Sequence, residues 1–335
     1  AGAGEPDPAR LEIGQSGKDP FHMAIIEPNR SAAASQFWTP TPKITSWLVN
    51  QRVAQRRLDQ GVCATAASMR DRLLILGGTG EARALSRAVA DAMPDLPMTT
   101  SLAGRTRDPL LPAGAVRFGG FGGADGLVHY IGENAVTVLV NATHPFAAEM
   151  GAHALEAHRR TGIPLLRLLR PAWQKRPGDS WIHVADVPAA AEICRWLGKR
   201  IFLSLGAKDL AAFAGITHPH FLVRLVDAPE TMPLARYDLV TARGPFTLAD
   251  ERALIEQGGI DLIVTKNSGG AATSAKIEVA RELGIPVVMI RRPEIALDPG
   301  SDMVESVEAA LDWIADQTER SPRTGDRNAP TGEKA

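Results

Sequence analysis

The chain has 335 residues, 44% of them hydrophobic and 22% charged, enough to bury one large core or two modest ones. Lysine plus arginine (37) and aspartate plus glutamate (38) nearly cancel, so no field spreads over the surface toward nucleic acid or an anionic bilayer, and an anionic ligand must be met by local charge. The two cysteines, Cys63 and Cys194, stand in no Cys-x-x-Cys pair, which argues against a disulfide framework or a structural zinc site.

In chain order, residues 1–68 are rich in Gly, Pro and charge and carry no strand-and-helix rhythm, and a disordered extension is expected there. Within it, 44–60 has the spacing of an amphipathic helix around Trp47, Leu48 and Val53. The rhythm starts at Arg72, and the functional chain is expected to begin near Met69. Apolar runs at 72–76, 97–102, 115–118, 136–141 and 164–168 alternate with helical stretches at 80–93, 123–133 and 147–161. A second series follows, with strands near 200–205, 221–225, 237–241, 260–265 and 286–290. Its helices fall near 187–198, 208–214, 247–257, 272–284 and 303–317. Such alternation predicts an α/β fold of two Rossmann-like, doubly wound parallel sheets facing across a cleft. The first domain is expected to span 69–183 and the second 184–320, with a disordered tail over 321–335. His218 and His220 form a His-x-His without an acidic or thiol partner and read as a solvated loop, so no metal site is expected. No apolar run approaches the roughly 18 residues that span a bilayer, and the expectation is a soluble, cytoplasmic protein.

Ligands of doubly wound sheets bind beyond the carboxyl ends of the strands, so the loops after strands carry the functional reading. In "GGTGEAR", Gly77, Gly78 and Gly80 permit a sharp turn and close approach, and the following helix aims free N–H groups at an anion. A pyrophosphate fits Gly77, Gly78, Thr79, Gly80, Glu81 and Ala82. The stretch is not a P-loop, and Arg83 stands where a third glycine of a dinucleotide fingerprint would be. The second strand ends in "TTSLAGRT" without the carboxylate that binds ribose in NAD sites; Ser101 and Arg105 favour the 2′-phosphate of NADP. After the fourth strand, "NATHPFAAEM" places Thr143 beside the cofactor and offers His144 as the candidate catalytic residue, donating a hydrogen bond to cofactor or substrate, or as a residue that only orders its loop. Phe146 has a face for a flat ring.

The second series supplies "GAKDL", "TARGPF" and "TKNSGG", each just after a strand. Lys208, Arg224, Arg243 and Lys266, with Arg167 and Arg170 upstream and Asn267 and Ser268 as polar neighbours, predict a cationic wall suited to a substrate with many carboxylates.

In this order "LILGGTGEARAL", "SLAGR", "NATHPFA", "LGAKDL" and "VTKNSGG" with the trailing "ARELGIPVVMIRRP" resemble the precorrin-6A reductases of cobalamin biosynthesis, over 73–293. The resemblance implies two Rossmann-like domains and NADPH-dependent reduction of a carbon–carbon double bond in an anionic tetrapyrrole macrocycle, giving precorrin-6B. It also suggests hand-over to other enzymes of that pathway, and it leaves open whether the macrocycle carries cobalt. One departure is Asn141, where the family commonly has Asp.

Two other readings compete. A short-chain-type dehydrogenase needs a tyrosine with lysine four residues on, whereas Tyr130 and Tyr237 are followed at that spacing by Asn134 and Thr241. A non-enzymatic NADP-sensing Rossmann protein would bind the cofactor but lack a large anion-binding cleft.

Overall fold

The computed structural model describes residues 10–13, 23–25, 71–104, 107–294 and 296–320. The expected 44–60 helix and the 321–335 tail lie outside them. In chain order the strands and helices are β1 (Arg10–Ile13), β2 (Met23–Ile25), β3 (Leu73–Leu76), α1 (Gly80–Ala92), β4 (Met98–Leu102), β5 (Ala115–Phe118) and α2 (Gly123–Glu133). Then follow β6 (Val138–Asn141), α3 (Ala148–Thr161), β7 (Leu165–Leu168), β8 (Trp181–Val184), α4 (Val187–Cys194), β9 (Arg200–Ser204), β10 (His220–Leu225) and β11 (Tyr237–Thr241). The chain continues with α5 (Leu248–Gln257), β12 (Leu262–Lys266), α6 (Ala275–Glu282), β13 (Val287–Ile290), β14 (Ser301–Val304) and α7 (Val307–Arg320). The stretch Ala207–Phe213 is a 3₁₀ helix.

Two sheets result. The first is parallel throughout, in the order β14-β7-β6-β3-β4-β5, which is the 3-2-1-4-5-6 order of dinucleotide-binding sheets. The strand run Leu73, Leu74, Ile75, Leu76 is buried at every position, as a central parallel strand covered on both faces must be. On one face α1 offers Ala82, Leu85 and Val89 to the same cluster as Ala310 and Ile314 of α7. On the other, Leu127 and Ile131 of α2 meet Ala154 and Leu155 of α3. The apolar spacing in these helices is the i, i+3, i+4, i+7 stripe of a one-faced helix. Thr79 caps α1, its hydroxyl accepting from the Ala82 amide at 3.0 Å, and α3 stops at Gly162, whose φ of 71° suits a left-handed C-cap.

The second sheet runs β2-β1-β11-β10-β9-β12-β13-β8. Its strands from β11 to β8 are parallel, and β1 and β2 extend it beyond β11. Two short strands therefore come from a leading segment with no strand rhythm of its own; β11 leaves one edge of hydrogen-bonding groups open, and β1 pairs with it. Clusters around Leu203 and Val264 on one face and Phe202 and Ile263 on the other make its core.

The second-domain boundaries of 184–320 need correction. Strand β8, four residues that pair with β13, already belongs to the second sheet, while β14 pairs with β7 and returns the chain to the first. The apolar face of α7 finds its cover on α1, so burial draws the last segment back across.

The linker from β7 to β8 is clasped by the loop after β12. Asn267 accepts from the Trp173 amide at 2.8 Å and donates to the Trp173 carbonyl at 3.0 Å. Arg170 donates to the Ser268 carbonyl (2.7 Å), and Arg292 donates to the carbonyls of Asn267 (2.8 Å), Arg170 (2.8 Å) and Ser268 (2.9 Å). The approach is so close that a Cβ on Gly269 would collide with the Pro171 carbonyl. Gly269 and Gly284 share nearly the same backbone, φ +66° and +68°, but a Cβ on Gly284 meets nothing within 4 Å. Gly284→Ala is therefore expected to cost only the left-handed backbone, about 1–2 kcal/mol. Gly269→Ala should cost clearly more in urea denaturation; equal losses would mean that the linker does not lie against this loop.

Candidate active site

Each sheet reverses its strand order once at its centre, between β3 and β6 in the first and between β9 and β12 in the second. The loops that leave those four strands are "GGTGEAR", "ATHPF", "LGAKDL" and "NSGG". The first three border a cleft of about 950 Å³, at the top of the roughly 300–1,000 Å³ range of small-molecule sites.

The glycine turn is built for close approach. The Gly77 amide donates to the Ser101 carbonyl at 2.9 Å, and a Cβ there would stand 2.8 Å from Cγ2 of Thr100. Gly78 has a φ of +103° and, like Gly80, open space where a side chain would be. Thr79 donates its hydroxyl to the Ala142 carbonyl at 2.7 Å, tying the turn to the loop across the switch point. The amides of Gly78, Thr79, Gly80 and Glu81 find no acceptor among the described residues. Open glycines and a row of unmet donors at a helix start fit a pyrophosphate. Ala82 lines the cleft wall, but Glu81 forms an ion pair with Arg170 at 2.7 Å, so its carboxylate serves the joint between the domains.

Ser101 is buried at the end of β4, and Arg105 lies outside the described residues. The guanidinium that meets Ser101 belongs to Arg117 of β5. The strand register pairs these two residues, and Arg117 donates to the Ser101 hydroxyl at 2.9 Å and to the Gly119 carbonyl at 3.0 Å. Its plane lies 3.9 Å from the centre of the Phe121 ring, and burial pulls its pKa down. The arginine inside "AVRFGG", one strand over from the serine, was the signal for it.

The β6 end is organised by Arg167. Its guanidinium donates to the amide oxygen of Asn141, and to the Thr143 hydroxyl at 3.0 Å and carbonyl at 3.2 Å. Arg167 is therefore buried under the loop instead of standing in the expected cationic wall. Thr143 and His144 face the cleft. Nδ1 of His144 accepts from the Phe146 amide at 3.3 Å, which assigns the ring proton to Nε2. Burial and then the charges of Arg170, Lys266, Arg292 and Arg167 push its pKa down to about 4; the ring is neutral at pH 7. Phe146 packs on the core of the second domain and lies 5.2 Å from the Lys266 ammonium.

The second wall is less cationic than its sequence. Lys208 is exposed in the cleft, and Arg243 lines it while donating to the Asp108 carbonyl at 2.6 Å across the domain boundary. Arg224 is a correction: it is buried, in a two-bond ion pair with Glu251 at 2.8 and 3.0 Å and 3.6 Å from the Phe246 ring centre. A charge on the covered face of a sheet needs a buried counter-charge, and the Glu251 carboxylate also offsets in part the burial that lowers the pKa of Lys276. Lys266 forms an ion pair with Asp209 at 2.7 Å. Asn267 and Ser268 are spent on the linker clasp described above, so neither borders the cleft.

A family model described as "Precorrin-6x reductase CbiJ/CobK" matches residues 72–315. Precorrin-6A reductase of Rhodococcus erythropolis is 51% identical over 249 residues, covering 74% of this chain and 99% of that protein. The Mycobacterium tuberculosis (strain ATCC 25618 / H37Rv) protein of the same name is 44% identical over 73% of this chain and 97% of its own length. A solved structure titled "CobK precorrin-6A reductase" superposes with a TM-score of 0.69 at 39% identity, covering 76% of this chain and 99% of that one. The family model over 72–315, identities of up to 51% and coverage of nearly the full length of these relatives lead to one conclusion: the chain belongs to the precorrin-6x reductase CbiJ/CobK family.

Proposed function

We propose that this protein reduces one carbon–carbon double bond of metal-free precorrin-6A with NADPH, giving precorrin-6B in cobalamin biosynthesis. The observation that carries this reading is family membership joined to a glycine turn with unmet amides, opposite a loop bearing Lys208. The metal-free substrate is favoured by the names of the relatives. Those called precorrin-6A reductase are 41–51% identical, against 28% for the cobalt-precorrin-6A reductase of Salmonella typhimurium.

A reduced nicotinamide dinucleotide would supply the hydride. The chain's own groups bind, orient and exclude water. Gly78, Thr79, Gly80 and Glu81 present amides to a pyrophosphate, while Ser101 and Arg117 sit at the strand end suited to a ribose 2′-phosphate, with Arg105 retained as a further candidate. Lys208 and Arg243 meet carboxylate arms of the macrocycle, and His144 offers Nε2–H to its conjugated face. The proton that completes the reduction comes from water, since a neutral imidazole at pH 7 is not an acid of useful strength. No described helix is long and apolar enough to cross a membrane. A cytoplasmic site of action, with hand-over of a product between pathway enzymes, accords with this chemistry.

Anaerobic incubation with metal-free and with cobalt-loaded substrate, followed by NADPH absorbance, tests the reading directly. Oxidation of NADPH by the metal-free substrate is expected, and none with either substrate would reduce the protein to a cofactor binder. For cofactor choice, Arg117→Ala is expected to weaken NADPH by about 1.5–3 kcal/mol, the worth of a charge-assisted contact, with little change for NADH. Equal losses would remove Arg117 from the phosphate. Lys208→Ala should raise KM for the macrocycle roughly 5-fold or more with the NADPH KM nearly constant; the reverse pattern would place Lys208 on the cofactor.

A further inference from the structure

Arg167 has the largest commitment of any cation to a single turn of the first domain. Its side chain comes from β7 and is buried, yet every acceptor it uses lies at the end of β6 or in the turn just after it. These are the Asn141 carbonyl at 3.2 Å, the Asn141 side-chain oxygen, the Thr143 hydroxyl at 3.0 Å, the Thr143 carbonyl at 3.2 Å and the His144 carbonyl at 3.4 Å. No carboxylate accepts from it among the described residues. A buried cation held only by neutral oxygens is costly to place, and a hydrophobic side chain would fill the same space at less cost. What the guanidinium supplies is geometry: two of its nitrogens hold five oxygens on Asn141, Thr143 and His144, which sets the path of the turn.

The neighbouring bonds extend that path to the imidazole. Asn141 Oδ1 also accepts from the Thr143 hydroxyl at 2.8 Å and amide at 3.2 Å, and the Phe146 amide holds Nδ1 of His144. Nε2 has no partner among the described residues. We propose that Arg167 is a positioning residue for the reductase reaction, fixing the Asn141–His144 turn so that His144 meets the macrocycle through Nε2–H as a neutral donor. This rests on the reading of His144 as the group that faces the substrate. The charges around the ring act in the same direction. Arg170 of the linker, Lys266 at the end of β12 and Arg292 after β13 surround it, the first two balanced in part by Glu81 and Asp209. With a neutral Asn at 141, Arg167 keeps its whole charge beneath the turn, and four cations oppose protonation of His144.

A double-mutant cycle separates this role from a merely structural one. Arg167→Lys keeps the buried charge but loses the fork. It is expected to lower kcat about 10-fold while NADPH affinity stays within about 2-fold, and to add less than about 2-fold in a His144→Ala background. Independently of turnover, ring-nitrogen NMR of the ligand-free protein should show His144 as the neutral Nε2–H tautomer down to about pH 5, and a mixture of tautomers in Arg167→Lys. The same fractional loss in both backgrounds, or an unaltered tautomer, overturns the proposal alone. Full turnover in His144→Ala overturns the reading of His144 and the proposal with it. If Arg167→Lys does not fold, Thr143→Val removes one acceptor of the fork, and the same loss confined to the His144 background is required of it.

Discussion

Two doubly wound sheets form one active site only if their switch points are held face to face, and here that constraint falls on the clasp between the β7–β8 linker and the loop after β12. Arg292 and Arg170 spend their guanidinium donors on backbone carbonyls of that joint, so the contact is independent of surface salt bridges, which are worth little in water. Glu81 adds an ion pair from the first turn of α1 to Arg170. The helix whose first amides find no acceptor among the described residues is thereby fixed to the linker between the domains. The return of β14 and α7 to the first sheet adds a crossing between the domains beside the β7–β8 linker, which limits the motions open to the cleft.

The same constraint decides which cations are free. Of those expected along the cleft, Arg167, Arg170, Arg224 and Lys266 are engaged by the fold through hydrogen bonds or ion pairs. Lys208 is exposed in the cleft, and Arg243 lines it while one of its nitrogens holds the Asp108 carbonyl. The engaged charges still act at a distance, because a positive group behind a low-dielectric wall adds to the potential in front of it. Burial and then the charges of Arg170, Lys266, Arg292 and Arg167 depress the pKa of His144, and a positive field of this kind favours an anionic ligand.

Much of this architecture was legible in the sequence, for a local reason. Strands such as Leu73–Leu76 and helices such as α1 declare themselves through period and caps, and the glycine turn through residues that no other backbone would need. Partners distant in the chain have no such signature. Glu251 lies 27 residues from Arg224, and Glu81 lies 89 from Arg170, so nothing local tells a buried ion pair from an open cationic wall. The boundary error arose in the same way, since β14 and α7 have an ordinary strand and helix pattern and only the apolar cover on α1 decides which sheet they join. Arg117 has no signature on the strand that carries Ser101; it reaches the serine from the adjacent strand, whose register pairs the two residues.

His144 shows how a charge-rich site can be arranged for a reaction that needs little acid. A protonated imidazole would neutralise one carboxylate arm and bind the ground state more tightly, which raises affinity without speeding the chemical step. A neutral ring held by the Phe146 amide keeps a single directed donor. On the proposed function, its hydrogen bond to the macrocycle would gain strength as negative charge builds on the conjugated system. Four surrounding cations and burial keep the ring in that state. The cost of burying Arg167 without a carboxylate is thus offset where charge develops, at the reacting face, and not in the stability of the free protein.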